Sequence, residues 1–441
     1  MEFRFRFPFI DEFLLKSGLR VILAPDKEQN GIVAILQLPV GKFSDPPRKE
    51  GCAELCFELV QKGSGELSSE EFSGKLEYTG ASVFSEVGEE HSVLGIRMLS
   101  RNEDELFPVF WNMILSPRME EKEFRRIGQE MATSMHAELS DPAVISSHHF
   151  YSSMAGREHP AGRFHTLDSL KNITIADVKE FHKNHFTPES CILTVAGDFD
   201  PESFKSKWLA SLESWVGDGK KDVFFAPAVN ESGSELRLVN KPDLTQATIL
   251  LGHYAPGELY RWRNEMALAN YILGAGNFSS RLMTRIRSLS GKTYGISSQL
   301  VTSKYFGAFL ISTTTLSATV SEMLKMIREI YGDFCSNGIT EEELERAKRF
   351  AIGNMAFQLE GICSIAEKLL WLRFYDRPNS YIEEFDAMIN RISVEDVNNS
   401  IRECFSPEKL ITVIVGRKKE ILPQLKSSVD VRNFHFREKI G

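Results

Sequence analysis

Glu54 and Glu58 stand four residues apart in an apolar stretch that reads as a helix, so both carboxylates fall on one face. Such a pair suits a hard cation such as Mg2+ or Ca2+, which takes oxygen ligands. Phe57 lies between them and cannot accept a proton, so no base accompanies the pair. Exposed carboxylates are ordinary, and the plain reading is two solvated helix glutamates. Cys52 and Cys56 also share a face and read as buried thiols. His182 and His185, at i,i+3, and the adjacent His148 and His149 offer too few ligands for a metal centre, and read as surface histidines. Gly274-Ala-Gly276 lacks the third glycine and the acidic ribose partner of a dinucleotide loop. It reads as a tight loop before a helix start at Ser279-Ser280-Arg281.

The elements that position these residues repeat at an offset of 219 positions. Ile173-Thr-Ile-Ala-Asp-Val178 matches Ile392-Ser-Val-Glu-Asp-Val397, and without a gap Phe186, Pro188, Glu189, Ile192 and Gly197 meet Phe405, Pro407, Glu408, Ile411 and Gly416. In each copy Thr174 or Ser393 caps a helix, and Asp177 or Asp396 three residues later closes a capping box. The helix ends near Phe-x-Pro, because proline disfavours helix in the residue before it. A short apolar strand follows, 191–196 or 410–415, and stops at glycine. Met119-Glu-Glu-Lys-Glu-Phe and Thr340-Glu-Glu-Glu-Leu echo each other more loosely as acidic helix starts. A period this long is no solenoid. The pattern predicts an α+β chain of two homologous domains, 1–216 and 236–441, each a mostly antiparallel sheet packed with helices, enclosing a chamber. The turn-rich segment 217–235 reads as the linker.

At 441 residues, two or three domains are expected. A hydrophobic content of 42% with 26% charge is that of a globular protein rather than a disordered one. The net charge of -9 disfavours a nucleic-acid surface. No uncharged apolar run reaches about 18 residues, so no membrane span is expected. The first fifteen residues lack the basic and apolar regions of a secretory signal. Six sparse cysteines without Cys-x-x-Cys spacing suggest reduced thiols, and a cytoplasmic location is the expectation.

Three segments resemble the insulinase and mitochondrial-processing-peptidase superfamily of inverted zincins. Gly51-Cys-Ala-Glu-Leu-Cys-Phe-Glu-Leu-Val-Gln-Lys-Gly-Ser64 is similar to that family's Gly-x-Ala-His-x-x-Glu-His-x-x-x-Lys-Gly-Thr, and His159-Pro-Ala-Gly-Arg163 to its His-Pro-Tyr-Gly-Arg turn. Leu273-Gly-Ala-Gly-Asn-Phe-Ser-Ser-Arg-Leu282, with Arg287 through Tyr294, resembles the second-half segment. The resemblance implies two-domain subunits that often work as clam-like dimers on extended peptides held as an added strand.

In active relatives two histidines bind zinc and the glutamate between them takes a proton from the metal-bound water. Here those positions read Glu54, Phe57 and Glu58, and Glu130, 72 residues beyond Glu58, stands near the place of the third ligand. Loss of the general base alone removes roughly 10²–10⁴-fold of rate. No metal is therefore expected in this chain. Phe84-Ser85-Glu86-Val87 replaces the family's Asn-Ala-x-Thr strand beside the metal. The resemblance keeps Arg287 and Tyr294, seven apart, as the pair that reaches toward a zinc site: Tyr donating to a developing oxyanion, Arg anchoring the substrate backbone. It gives Gly274, Gly276, Ser279 and Ser280 a peptide-gripping role. The expectation is a zinc-less subunit that assists a zinc-bearing homologue, as a heterodimer or through self-association, in peptide hydrolysis. A structural, assembly or peptide-binding protein is the alternative, and an autonomous metallopeptidase a third.

Overall fold

The computed structural model describes residues 5–217, 234–288, 293–425 and 431–436. The linker expected at 217–235 falls almost wholly outside the described residues. The first half carries strands β1 (Asp11–Leu14), β2 (Arg20–Pro25), β3 (Gly31–Leu38), β4 (Ser82–Val87), β5 (Ser92–Leu99) and β6 (Ile192–Gly197). The second carries β7 (Leu236–Asn240), β8 (Gln246–Pro256), β9 (Ile296–Thr302), β10 (Phe306–Leu316), β11 (Ile411–Gly416) and β12 (Val431–His435).

The two sheets run β1-β2-β6-β3-β5-β4 and β12-β7-β11-β8-β10-β9. Strand for strand these are one plan used twice, as the sequence repeat requires. The difference lies at the outer edge. β1, from the amino end, pairs antiparallel to β2, whereas β12, from the carboxyl end, pairs parallel to β7. The first sheet therefore has one parallel pairing, β2 with β6, and the second has two.

The repeated helices form as their caps dictate. Ile175–His185 is capped by Thr174 with Asp177, and Val394–Cys404 by Ser393 with Asp396, each as a complete capping box. The looser echo divides: Thr340 and Glu343 box the start of Glu341–Phe357, while Glu121–Glu138 begins after Glu120 with no side-chain cap. At the end of β6, Gly197 has φ +122°, and a Cβ there would sit 2.0 Å from the Gly31 carbonyl oxygen. Glycine is required at that strand end.

β6 and β11 are buried along their whole length. A central strand covered on both faces reads as a continuous apolar run, which is how both appear in sequence. One face of each sheet packs on helices of its own half. The other is covered by a helix of the opposite half. Ile365, Ala366, Leu369 and Leu370, on helix Ile362–Phe374, pack against Ile22, Val33, Ile35 and Ile192 of the first sheet. Reciprocally, Ile145, Phe150 and Met154, on helix Pro142–Ala155, pack against Val239, Leu250, Ile411 and Val413 of the second. Polar ties cross the same boundary: Arg373 pairs with Glu12 at 2.8 Å, and the Lys304 backbone N–H donates to Glu90. Among the described residues no helix is long and apolar enough to cross a membrane.

Candidate functional site

Helix Cys52–Val60 begins at Gly51, in the left-handed region at φ +102°. Its first turn is capped from upstream, because Asp45 accepts from the N–H groups of Gly51 at 2.8 Å and Ala53 at 2.7 Å. Burial raises Asp45 to about 7 despite these two donors, with the charges of Glu54 and Glu50 adding to the effect. Cys52, Leu55, Cys56, Leu59 and Val60 are buried, and burial pushes the Cys52 thiol up to about 12. Phe57 is fully buried, its ring 5.1 Å from that of Phe186. The position that would carry a general base is part of the hydrophobic core.

Glu54 corrects the expectation of two solvated glutamates. Its side chain is 22% exposed and lies between Lys42 Nζ at 3.0 Å and His165 Nδ1 at 2.7 Å. His165 Nε2 reaches Glu138 Oε2 at 3.3 Å, so Lys42, Glu54, His165 and Glu138 form one chain in which basic and acidic side chains alternate. Burial alone would raise Glu54, but His165 and Lys42 outweigh it and hold Glu54 down to about 2. Burial likewise works to lower His165, yet the carboxylates of Glu54 and Glu138 outweigh it and raise its pKa. Lys42 comes from the loop after β3, Glu138 from the end of helix Glu121–Glu138, and His165 follows the His159-Pro-Ala-Gly-Arg163 segment by two positions. Nothing in the spacing of these residues announces the convergence.

Glu58 is half exposed, with Lys62 at 3.9 Å, and does match the solvated reading. Glu130 is also exposed and bridges Arg126 at 2.6 Å. The carboxylates of Glu54, Glu58 and Glu130 thus have separate partners. Among the described residues no group of three or more His, Cys, Asp or Glu side chains is placed to hold a metal ion. The site does not fit zinc: Glu54 is engaged by Lys42 and His165, and Phe57 fills the core.

The reading of surface histidines is overturned at several positions. His149 is 2% exposed, and the ring of His148 stacks on Phe164 with centroids 4.1 Å apart. Burial lowers both to about 4, with the Arg237 charge adding at His149 and His165 at His148. His182 is half-buried against the Ile114 carbonyl at 2.8 Å. Periodicity missed these residues because their burial comes from distant elements.

Edge strand β4 carries Phe84, whose ring fills the space over Gly95 beneath the Arg97 guanidinium. Ser85 accepts from Gln61 Nε2 at 2.8 Å and so ties the strand to the end of the Cys52–Val60 helix.

In the second half, a Cβ on Gly274 would meet Ser298 Oγ at 2.4 Å, so this glycine lets the segment press on β9. Ser280 is fully buried and donates to the Asn277 carbonyl at 2.8 Å. Gly274 and Ser280 are thus seen in packing and turn formation. Ser279 donates to the Gly276 carbonyl at 2.8 Å. In place of a plain helix start there is a 3-10 turn, Asn277–Ser279, then a π-helical stretch, Met283–Ser288. Arg287 lies over the Phe278 ring at 4.6 Å, and Tyr294 is 88% exposed.

Residues 20–157 match the family model for insulinase (peptidase family M16), and residues 172–350 match the model for the peptidase M16 inactive domain. The chain is 22% identical over 386 residues to the non-peptidase homolog YmxG of Helicobacter pylori, covering 86% of this chain and 87% of that one. It is 25% identical over 414 residues to an uncharacterized zinc protease of Rickettsia bellii, covering 91% and 96%. The crystal structure of a peptidase M16 inactive domain from Pseudomonas fluorescens superimposes with a TM-score of 0.84 at 20% identity, over 97% of this chain and all of that one.

Proposed function

We propose, from the premise that this chain belongs to the insulinase family of peptidases and carries a degenerate zinc site, that it is a non-proteolytic subunit which pairs with a zinc-bearing homologue. The observation that carries the reading is Phe57, sealed in the core where the family's proton acceptor would stand. Glu54, held between Lys42 and His165, points the same way, since a carboxylate already paired with a lysine and hydrogen-bonded to an imidazole attracts a metal ion poorly. Zinc belongs to the partner alone.

The subunit's contribution is electrostatic and positional. Tyr294, exposed two residues before β9, is available to a partner's site, where its hydroxyl would donate to a developing oxyanion. Arg287, with its guanidinium already oriented over Phe278, would hold the peptide backbone. Gly276 and Ser279 shape the turn beside them, while Gly274 and Ser280 set its backbone from beneath. The substrate is an extended peptide taken as an added strand. Edge strand β4 presents the unpaired backbone groups this mode needs. A cytoplasmic setting is part of the reading.

The test is peptide hydrolysis by this chain alone, by a zinc-bearing homologue alone and by their mixture. Only the mixture is expected to be active, and Tyr294→Phe should lower its kcat with the fold and the association intact. Association without any gain of activity would move the assembly role ahead. Metal-dependent cleavage by this chain alone would overturn the proposal.

A further inference from the structure

A cavity of about 940 Å3 opens beside the Lys42–Glu54–His165–Glu138 chain and shares His165 and Glu138 with it as wall. Its apolar lining comes from Met135, Leu139, Ile145 and Phe164, and from Phe436 of the second half. This size and character fit a ligand pocket, in which a few polar groups orient a mostly apolar guest.

The polar groups of the wall have unspent hydrogen-bonding capacity. The His148 side chain makes no hydrogen bond among the described residues, and its low pKa leaves a neutral imidazole with one N–H and one lone pair to offer. Nδ1 of His149 and Nε of Arg163 are buried without a partner. Orphaned buried polar atoms are few in native proteins and call for an explanation. At the rim, Arg48 and Arg157 are exposed and form no ion pair among the described residues. The acids of the inner wall are already engaged: Glu138 with His165, and Glu50 with Arg163 at 4.0 Å. Glu158 is exposed at the rim. Asp168 and Glu158 stand on the same wall, and the two rim guanidinium groups and the His148 imidazole N–H, beside apolar walls, are donors that no ion pair or hydrogen bond among the described residues engages.

We infer that this cavity binds a carboxylate carried on an apolar body, either the carboxyl end of an apolar peptide or a free acyl acid. Arg157 and Arg48 would take the carboxylate at the mouth, where guanidinium recognises it in bidentate fashion. His148 would donate to a carbonyl or carboxylate oxygen further in. The apolar body would lie along Met135, Leu139 and Ile145. The site is separate from the β4 edge, and it needs no partner subunit.

The experiment is fluorescence anisotropy of dansyl-Ala-Leu-Leu-Phe with the full chain, run against the carboxamide of the same peptide and with decanoate as competitor. The free acid is expected to bind saturably and the carboxamide at least about tenfold more weakly, as loss of a charge-assisted contact implies. Arg157→Glu, at an exposed position, should weaken the acid by a similar factor and leave the carboxamide unchanged. Leu139→Trp, at a position 41% exposed, should block both by filling the mouth. Displacement by decanoate would show that any apolar carboxylate is read; binding undisturbed by decanoate would restrict the site to peptide ends. Equal binding of acid and carboxamide, or binding unchanged in both variants, would overturn the inference.

Discussion

Glu54 and His165, 111 positions apart, meet with Oε2 and Nδ1 at 2.7 Å. One residue lies on the helix that in active relatives carries the zinc ligands, the other on a loop outside that motif. Their contact, extended by Lys42 and Glu138, places basic side chains beside a carboxylate where the family's chemistry would place a metal. It gives Glu54 a structural role.

Glu54→Gln should therefore destabilise the fold by about 1–3 kcal/mol, because Lys42 and His165 lose their shared counter-charge. The pH dependence follows from the two shifts. Glu54 is held low, so its contribution is present above its unfolded value near 4.5 and is lost as pH falls toward about 2. His165 is raised, so its contribution is complete below its ordinary 6.5 and is lost as pH climbs through the raised value. The wild-type advantage in urea midpoint should be greatest between these limits. A difference that stays constant from pH 5 to pH 9 would count against the ion pair.

A second pH effect runs opposite to that of His165. Burial lowers His91, His148, His149 and His253 to about 4 each, so between about 6.5 and 4 the unfolded chain takes up protons that the folded chain refuses. Stability should decline as pH falls through that window. His149→Phe should make the decline shallower, measured as the thermal midpoint at pH 7 and at pH 5.

Phe57→Glu, which restores the missing acid in name, should not restore chemistry. It places a carboxylate in a fully buried ring site against Phe186, at a cost of roughly 3–5 kcal/mol. Urea unfolding would measure the loss. Zinc content after dialysis against the metal should remain below stoichiometric even with Glu54→His and Glu58→His added.

Because helices Pro142–Ala155 and Ile362–Phe374 each lie on the opposite half's sheet, the halves should stay together when the chain is cut between them. A protease site engineered into 218–233 is expected to yield two fragments that co-elute on gel filtration. Leu369→Asp, which puts a charge into that packing, should release them or shift the fragments' unfolding midpoint sharply downward.

Much of the plan is determined by the sequence itself, because it is written in short-range terms. Thr174 with Asp177 and Ser393 with Asp396 are bonds across three residues, and the apolar runs of β6 and β11 mark strands covered on both faces. The loss of the zinc motif is equally local, since Glu54, Phe57 and Glu58 share one helical turn. Tertiary structure alone decided which distant segments meet. The exchange of helices between halves, the burial of His148 and His149, and the convergence of Lys42, His165 and Glu138 on Glu54 join elements far apart in the chain. Such contacts leave no period in the sequence. They are set by how each half lays a helix on the other half's sheet, and so charge, burial and the cavity beside them became legible only in three dimensions.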